Sequence, residues 1–159
     1  MQQQDLFVKL VLDSWYSHVS RTDKLFETLN DEQLLKEIAP GKNRGIYLLG
    51  HLAAVHDRML PLLGFGVQQY PQLDVPFITS ADKTVSEIPS AADLRNCWKE
   101  VNTTLDNHFK TLQPADWFLR HTSVSEEDFA KEPHRNRLNI VISRTNHLAN
   151  HLGQLLLLK

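Results

Sequence analysis

The chain has 159 residues, of which 42% are hydrophobic and 23% are charged, a composition typical of a globular domain and too apolar for a disordered one. Its 17 Lys and Arg against 19 Asp and Glu give a net charge of −2, which leaves no basic excess for general nucleic-acid binding. The single cysteine, Cys97, excludes an internal disulfide framework and a cysteine-rich metal site. The length suits one domain, which we expect to span residues 1–159.

The N-terminal residues show no basic segment followed by an apolar core, so they do not resemble a secretory signal peptide. The longest apolar run covers only residues 155–158, far short of the roughly 20 residues that a helix needs to cross a bilayer. We therefore expect a cytoplasmic protein that does not bind membranes.

Glycine and proline divide the chain into four long segments with helical periodicity. The first is predicted over about residues 3–29. A short turn follows, for which Asp31 is the predicted cap, and it ends at residues 40–41. The second helix is predicted over about residues 46–63, with a kink or an early end caused by Pro61.

Residues 65–89 contain three prolines and no helical period, which predicts a long crossover loop. Within it, only residues 75–79 look faintly extended. Ser90, with Asp93 three residues later, predicts the capped start of a third helix that reaches about residue 112. A second long loop covers residues 114–136, and the last helix is predicted over about residues 137–158. Four amphipathic helices and no clear strand predict an all-α bundle.

Histidine is the unusual feature of the composition, with eight residues in the chain. His147 and His151 are four residues apart in the last predicted helix, so they lie about 6 Å apart along its axis on one face. Two imidazoles so placed can reach one divalent ion, and imidazole favours Zn, Ni, Cu or Fe over Mg or Ca. Because residue 148 is leucine rather than glutamate, the pattern does not support a thermolysin-like protease.

The spacing alone is equally typical of two hydrogen-bonded helix histidines. The metal-binding interpretation is favoured because both residues lie on the apolar stripe of the helix. Burial of an unpartnered polar ring there costs about 1–3 kcal/mol, and a shared metal ion would supply the missing partner. His51 lies beside the apolar stripe of the second helix and is a candidate third ligand. The preceding Gly50 predicts the close approach of a neighbouring backbone. Three imidazoles with an open position are typical of catalytic metal sites rather than closed structural ones.

Two sequence blocks carry a resemblance to a known family. The first is L-G-H-L-A-A at residues 49–54, and the second is N-H-L-A-N-H-L-G-Q at residues 146–154. With Trp15 and the turn L-N-D-E-Q-L at residues 29–34, they make the chain resemble the DinB/YfiT-like superfamily of metal-dependent proteins over about residues 6–158.

The resemblance implies a four-helix bundle of up-down-down-up topology, with the long crossover between helices 2 and 3. It implies that His51, His147 and His151 form the metal triad and that the cofactor is a divalent ion, Ni or Zn. It also implies a homodimer and a small-molecule substrate. Some members of the family transfer low-molecular-weight thiols, and others have no known activity.

Three interpretations of function therefore stay open at this point. The first is a metal-dependent enzyme, either a thiol-dependent S-transferase or a hydrolase. The second is a non-catalytic metal- or ligand-binding bundle that acts as a dimer in a stress response. The third is a helical scaffold without an ion. No carboxylate near the motifs suggests a general base, so the catalytic residues are not predicted.

The remaining histidines and aromatic residues have weaker signals. His18 and His108 lie on apolar stripes, where each either lines the metal cavity or forms a hydrogen bond at the edge of the core. His56 is about 140° around the helix from His51 and is predicted to lie outside the ligand set. We expect His121 and His134, which lie in the second long loop, to be solvated. Trp117 and Phe118 are candidates either for loop packing or for closing the metal cavity.

Overall fold

The computed structural model describes residues 3–159; residues 1 and 2 of the predicted domain lie outside this range. The described chain is all-α, as predicted, and contains no β-strand beyond two isolated bridges. Its helices are α1 (Gln3–Thr28), α2 (Asp31–Leu34), α3 (Gly45–Asp57), α4 (Met59–Leu63), α5 (Ala91–Phe109), α6 (Glu126–Lys131) and α7 (Arg137–Leu155). No helix over residues 3–159 combines the length and the apolar character needed to span a membrane.

The predicted break in the second long helix is confirmed. Helix α3 ends at Asp57, and α4 begins at Met59 after a single intervening residue. Pro61 explains the position of the break, because it lacks the N–H that would bond the carbonyl of Asp57 four residues earlier. Gly64 then ends α4 with a φ of 78°, a left-handed conformation that favours glycine.

The cap of the short helix α2 differs from the prediction. Asn30, not Asp31, is the capping residue: its side-chain oxygen accepts from the backbone N–H of Gln33 at 2.8 Å. The side chain of Gln33 returns the bond to the backbone N–H of Asn30 at 3.0 Å. This reciprocal pair satisfies two helix N–H groups, so Asp31 becomes the first helical residue.

Both long loops contain short helical turns. The prediction of an extended segment at residues 75–79 is wrong, because Val75–Thr79 forms a single π-helical turn. This turn places Phe77 in the core, where its ring is fully buried against α3. Near it lies a 3₁₀ turn at Pro71–Leu73, and the second loop holds another at Pro114–Phe118.

Helices α3 and α7 carry the candidate site, and their packing determines its geometry. An added Cβ at Gly45, at the start of α3, would lie 2.5 Å from the Leu158 side chain, just beyond the end of α7. At the other end, Gly64 lies beside the Arg137 side chain at the start of α7. The two helices therefore run antiparallel. They share a buried apolar cluster that includes Leu52 of α3 and Leu148, Leu152 and Leu155 of α7.

Each such buried leucine contributes roughly 1.5–3 kcal/mol of hydrophobic stabilisation. Leu148 and Leu152 directly follow His147 and His151 in the chain. Their burial therefore fixes the rotation of α7 about its axis and directs the two histidines toward α3.

Candidate metal centre

The structure brings His51, His147 and His151 together. The Nε2 atom of His147 lies 3.1 Å from Nε2 of His51 and 3.1 Å from Nε2 of His151. The three nitrogens all lie within 4.8 Å of one another, and all three side chains are partly buried. Residues separated by 96 positions in the chain thus present three imidazole nitrogens to one point.

Hydrogen bonds orient two of the three rings. His51 Nδ1 donates to the backbone carbonyl of Phe77 at 2.8 Å, and His151 Nδ1 lies 2.7 Å from the side-chain oxygen of Gln154. Because these oxygens can only accept, Nδ1 of each ring carries a proton, so in the metal-binding form of the ring the lone pair of Nε2 points into the cluster. Such bonds from the far side of the ring are typical of metal-bound histidine.

The third ring, His147, is held differently. Its Nδ1 is buried and has no hydrogen-bond partner in the described chain. Burial, followed by the charges of the two neighbouring histidines, lowers the pKa of His147 to about 4. Burial also lowers the pKa of His51, against the raising effect of its bond to Phe77. Both rings are therefore neutral at pH 7, the form that binds metal.

These observations fit a divalent cation at the centre of the cluster. Two lone pairs face His147 Nε2, and one N–H there can satisfy only one of them. Metal–imidazole bonds of roughly 2.0–2.1 Å at 90–109° would place ligand nitrogens roughly 2.8–3.4 Å apart. The two separations of 3.1 Å lie within that span. Three imidazole ligands suit Ni or Zn better than Mg or Ca.

The structure leaves the other candidate histidines outside this cluster. His18 Nδ1 bonds the backbone carbonyl of Ser14 at 2.8 Å. His108 stacks on Phe65, with ring centroids 4.6 Å apart. For His18, this bond is the predicted hydrogen-bonding alternative. For His108, stacking on Phe65 is a packing role that was not among its predicted alternatives.

His56 is also outside the cluster, and it lies in the core. Its ring is fully buried between Trp15 and Trp98, with both centroid distances at 4.8 Å, and Nδ1 lies 2.8 Å from Asn102 Oδ1. Helix α3 is buried on almost every side, so the face opposite His51 meets protein as well.

The prediction for the two loop histidines is half wrong. His134 is exposed, as expected. His121 is only 7% exposed and lies 2.9 Å from the Ser123 hydroxyl, because the loop folds back on the bundle: the following residue, Thr122, donates its backbone N–H to the Leu62 carbonyl.

Trp117 and Phe118 do not close the metal site. Trp117 is buried with its ring 4.9 Å from that of Phe109, in a cluster that includes Leu138 near the start of α7. A groove of about 570 Å³ lies between α1 and α5, and its lining includes none of the three clustered histidines.

Sequence reasoning missed the groups that orient the imidazoles. Gln154 follows His151 by three residues in the predicted last helix and so lies on the same face, which was a usable signal. The Phe77 carbonyl had no such signal, because it comes from a distant loop.

Comparison with curated proteins gives no significant match. A sequence model of the DinB superfamily matches residues 15–155, which include all three clustered histidines. The chain belongs to the DinB superfamily.

Proposed function

We propose that this protein is a metal-dependent enzyme in which His51, His147 and His151 hold one divalent ion, Ni or Zn. The observation that carries the proposal is the convergence of three Nε2 atoms, two of them with the lone pair directed inward by a bond on the far side of the ring. Three protein ligands leave at least one position for a substrate.

When bound, such an ion lowers the pKa of a coordinated water or thiol toward neutrality. We favour a low-molecular-weight thiol as substrate: its proton is lost to solvent, and its sulfur bonds an electrophilic carbon as the leaving group departs with its electron pair. The hydrolytic alternative uses water in the same position. The described chain orients the imidazole rings: the Phe77 carbonyl holds His51, and the Gln154 side chain holds His151. The Tyr47 ring also stacks on His51, with the ring centroids 6.2 Å apart.

We further propose that α1, α3, α5 and α7 form a four-helix bundle of up-down-down-up topology. Several contacts support it. Helix α1 packs on α7, and α3 packs on both α5 and α7. Arg95, near the start of α5, donates to the backbone carbonyls of Phe26 and Leu29 at the end of α1, so these two helices run antiparallel.

A homodimer, in the cytoplasm, is the proposed working state. Leu6, Phe7 and Leu10 of α1 are 48%, 50% and 59% exposed, and they form an apolar surface suited to a second copy of the chain. Analytical ultracentrifugation of wild type and Leu10→Glu tests this surface. We expect a dimer for wild type and a monomer for the variant; a monomeric wild type would contradict the proposal.

Elemental analysis of the purified protein tests the metal site directly. We expect about one Ni or Zn per chain in wild type and less than a tenth of that in His147→Ala. The control is His134→Ala, which removes an exposed loop histidine and should retain the ion. Equal metal content in wild type and His147→Ala would refute the triad.

Activity then separates an enzyme from a binding protein. The metal-loaded protein is screened with small thiols against electrophiles, and with amides and esters, in parallel with His51→Ala. Turnover that is lost in His51→Ala supports the enzyme. A fully loaded protein without turnover in any screen would favour the non-catalytic binding bundle.

A further inference from the structure

Arg144 lies on the same face of α7 as two of the clustered histidines. It precedes His147 by three residues and His151 by seven, which are one and two helical turns. Its positive charge is close enough to help lower the pKa values of His51 and His147. The guanidinium is therefore a neighbour of the candidate metal centre.

This guanidinium has no partner among the described residues. It is half-buried, and its Nε is fully shielded without a hydrogen-bond acceptor. Three other partly buried arginines pair with an aspartate: Arg44 with Asp82 at 2.7 Å, Arg58 with Asp74 at 3.0 Å, and Arg95 with Asp31 at 2.7 Å. Arg137 also has a buried Nε without an acceptor, but its Nη1 donates to the Asp116 carbonyl at 3.5 Å, whereas no atom of the Arg144 guanidinium has a partner in the described chain. Arg58, whose charge also acts on Arg144, is already neutralised by its own aspartate.

The charge balance of the site is therefore strongly positive. Imidazole ligands are neutral when they bind a metal, so a divalent ion in the cluster and the unpaired guanidinium would sum to +3. No carboxylate forms a hydrogen bond or ion pair with the three histidines or Arg144 in the described chain. Half-buried charge without a counter-ion is costly, and a guanidinium binds carboxylates and similar oxyanions in a planar, two-pronged geometry.

We propose that Arg144 anchors an anionic group, a carboxylate or a comparable oxyanion, of the molecule that binds at the three-histidine centre. This rests on the proposed function and adds to it the chemical class of the substrate: a small anion rather than a neutral or cationic molecule. Arg144 acts as a specificity-determining residue, and the open coordination position receives another part of the same molecule.

Nitrogen-15 NMR of the arginine Nε–Hε groups tests the proposal with acetate as the probe and acetamide as its neutral counterpart. The Arg144 signal is assigned by its absence in Arg144→Gln, and spectra are recorded for metal-free and Zn-loaded protein. We expect acetate to shift the Arg144 signal saturably in both forms and acetamide to leave it in place. The signal of Arg135, a surface arginine nine residues earlier, is the internal control.

Calorimetry of the Zn-loaded protein supplies the affinity. Loss of a charge-assisted hydrogen bond predicts acetate binding at least ~10-fold weaker in Arg144→Gln and unchanged in Arg135→Gln. If acetate does not shift the Arg144 signal in either form, the anion site is refuted, even if the three histidines bind Zn. A protein that binds no Zn but still shows the acetate shift refutes the metal centre and leaves the anion site supported.

Discussion

Gly50 offers a quantitative test of how the fold supports the candidate metal centre. A Cβ built at this position, inside α3, would lie 2.5–2.6 Å from three ring atoms of Phe77. Real Cβ atoms do not approach so closely, and Phe77 is fully buried, so its ring has no free space to enter. Gly50→Ala must therefore displace the π-helical turn whose carbonyl holds His51.

The energy of this clash can be isolated with a second glycine. Gly153 lies in α7, and a Cβ there would meet nothing within 4 Å. Replacing a helical glycine by alanine stabilises by about 0.5–1 kcal/mol where space allows, and overpacking a core costs about 1–3 kcal/mol. The propensity gain is similar in both variants, so their free energies of unfolding should differ by about 1–3 kcal/mol.

Urea unfolding of the metal-free protein measures this difference, and thermal unfolding should show Gly50→Ala melting about 2–12 °C below Gly153→Ala. The double variant Gly50→Ala/Phe77→Leu should recover part of the loss, because leucine removes the ring while the backbone acceptor stays. We also expect Gly50→Ala to weaken Zn binding about 10-fold, through the displaced Phe77 carbonyl.

Two results would refute this reasoning. If Gly50→Ala is as stable as Gly153→Ala, the close packing of Phe77 on α3 does not exist in solution. If Gly50→Ala is destabilised but binds Zn as tightly as wild type, the turn carrying Phe77 does not orient His51.

Two further variants test the hydrogen bond that orients His151 and the burial of His56 on the opposite face of α3. Gln154→Leu removes the acceptor of His151 and should weaken Zn binding about 10–100-fold in chelator competition; unchanged affinity would exclude an orienting role. Burial lowers the pKa of His56 to about 3, so between pH 6.5 and pH 3 the unfolded chain binds a proton that the folded chain does not. His56 therefore lowers the free energy of unfolding by up to about 1.4 kcal/mol for each pH unit of acidification in this range. In urea titrations of the metal-free protein at pH 5 and pH 7, the free energy of unfolding of His56→Gln should depend less on pH than that of wild type.

The long helices could be predicted because their signal is local. In α5, Leu94, Trp98, Val101 and Leu105 recur at intervals of three and four residues, and all four are buried in the structure. Ser90 also accepts from the Asp93 N–H, as the capping pattern predicted. Periodicity and caps operate within a few residues, so the sequence contains them in full.

The loops could not be predicted in this way, because distant contacts determine them. Residues 75–79 show neither the 3.6-residue period of a helix nor the two-residue period of a strand. Their π-helical turn is stabilised by the burial of Phe77 against Gly50, which lies 27 positions earlier in the chain. His121 is buried because the neighbouring Thr122 bonds the end of α4. Neither contact has a local signature.

The candidate site shows the same division between local and distant information. The spacing of His147 and His151 is a local property of one helix, and helical periodicity predicts that they share a face. The same periodicity places Arg144 one turn before His147 on that face. The position of His51 opposite them depends on the antiparallel packing of α3 against α7, and its ring orientation depends on Phe77.

The long crossover therefore does more for the site than connect two helices. Its 3₁₀ and π-helical turns fold along α3, where Asp57 accepts from the backbone N–H groups of Gln69 and Tyr70 at 2.8 Å each. This anchoring holds the turn that carries Phe77. The Phe77 carbonyl fixes the proton of the neutral His51 ring on Nδ1, so Nε2 carries no proton and its lone pair faces the cluster. The crossover thus supplies the acceptor that orients the His51 ring, and such a bond on the far side of the ring is what a metal-binding imidazole would need.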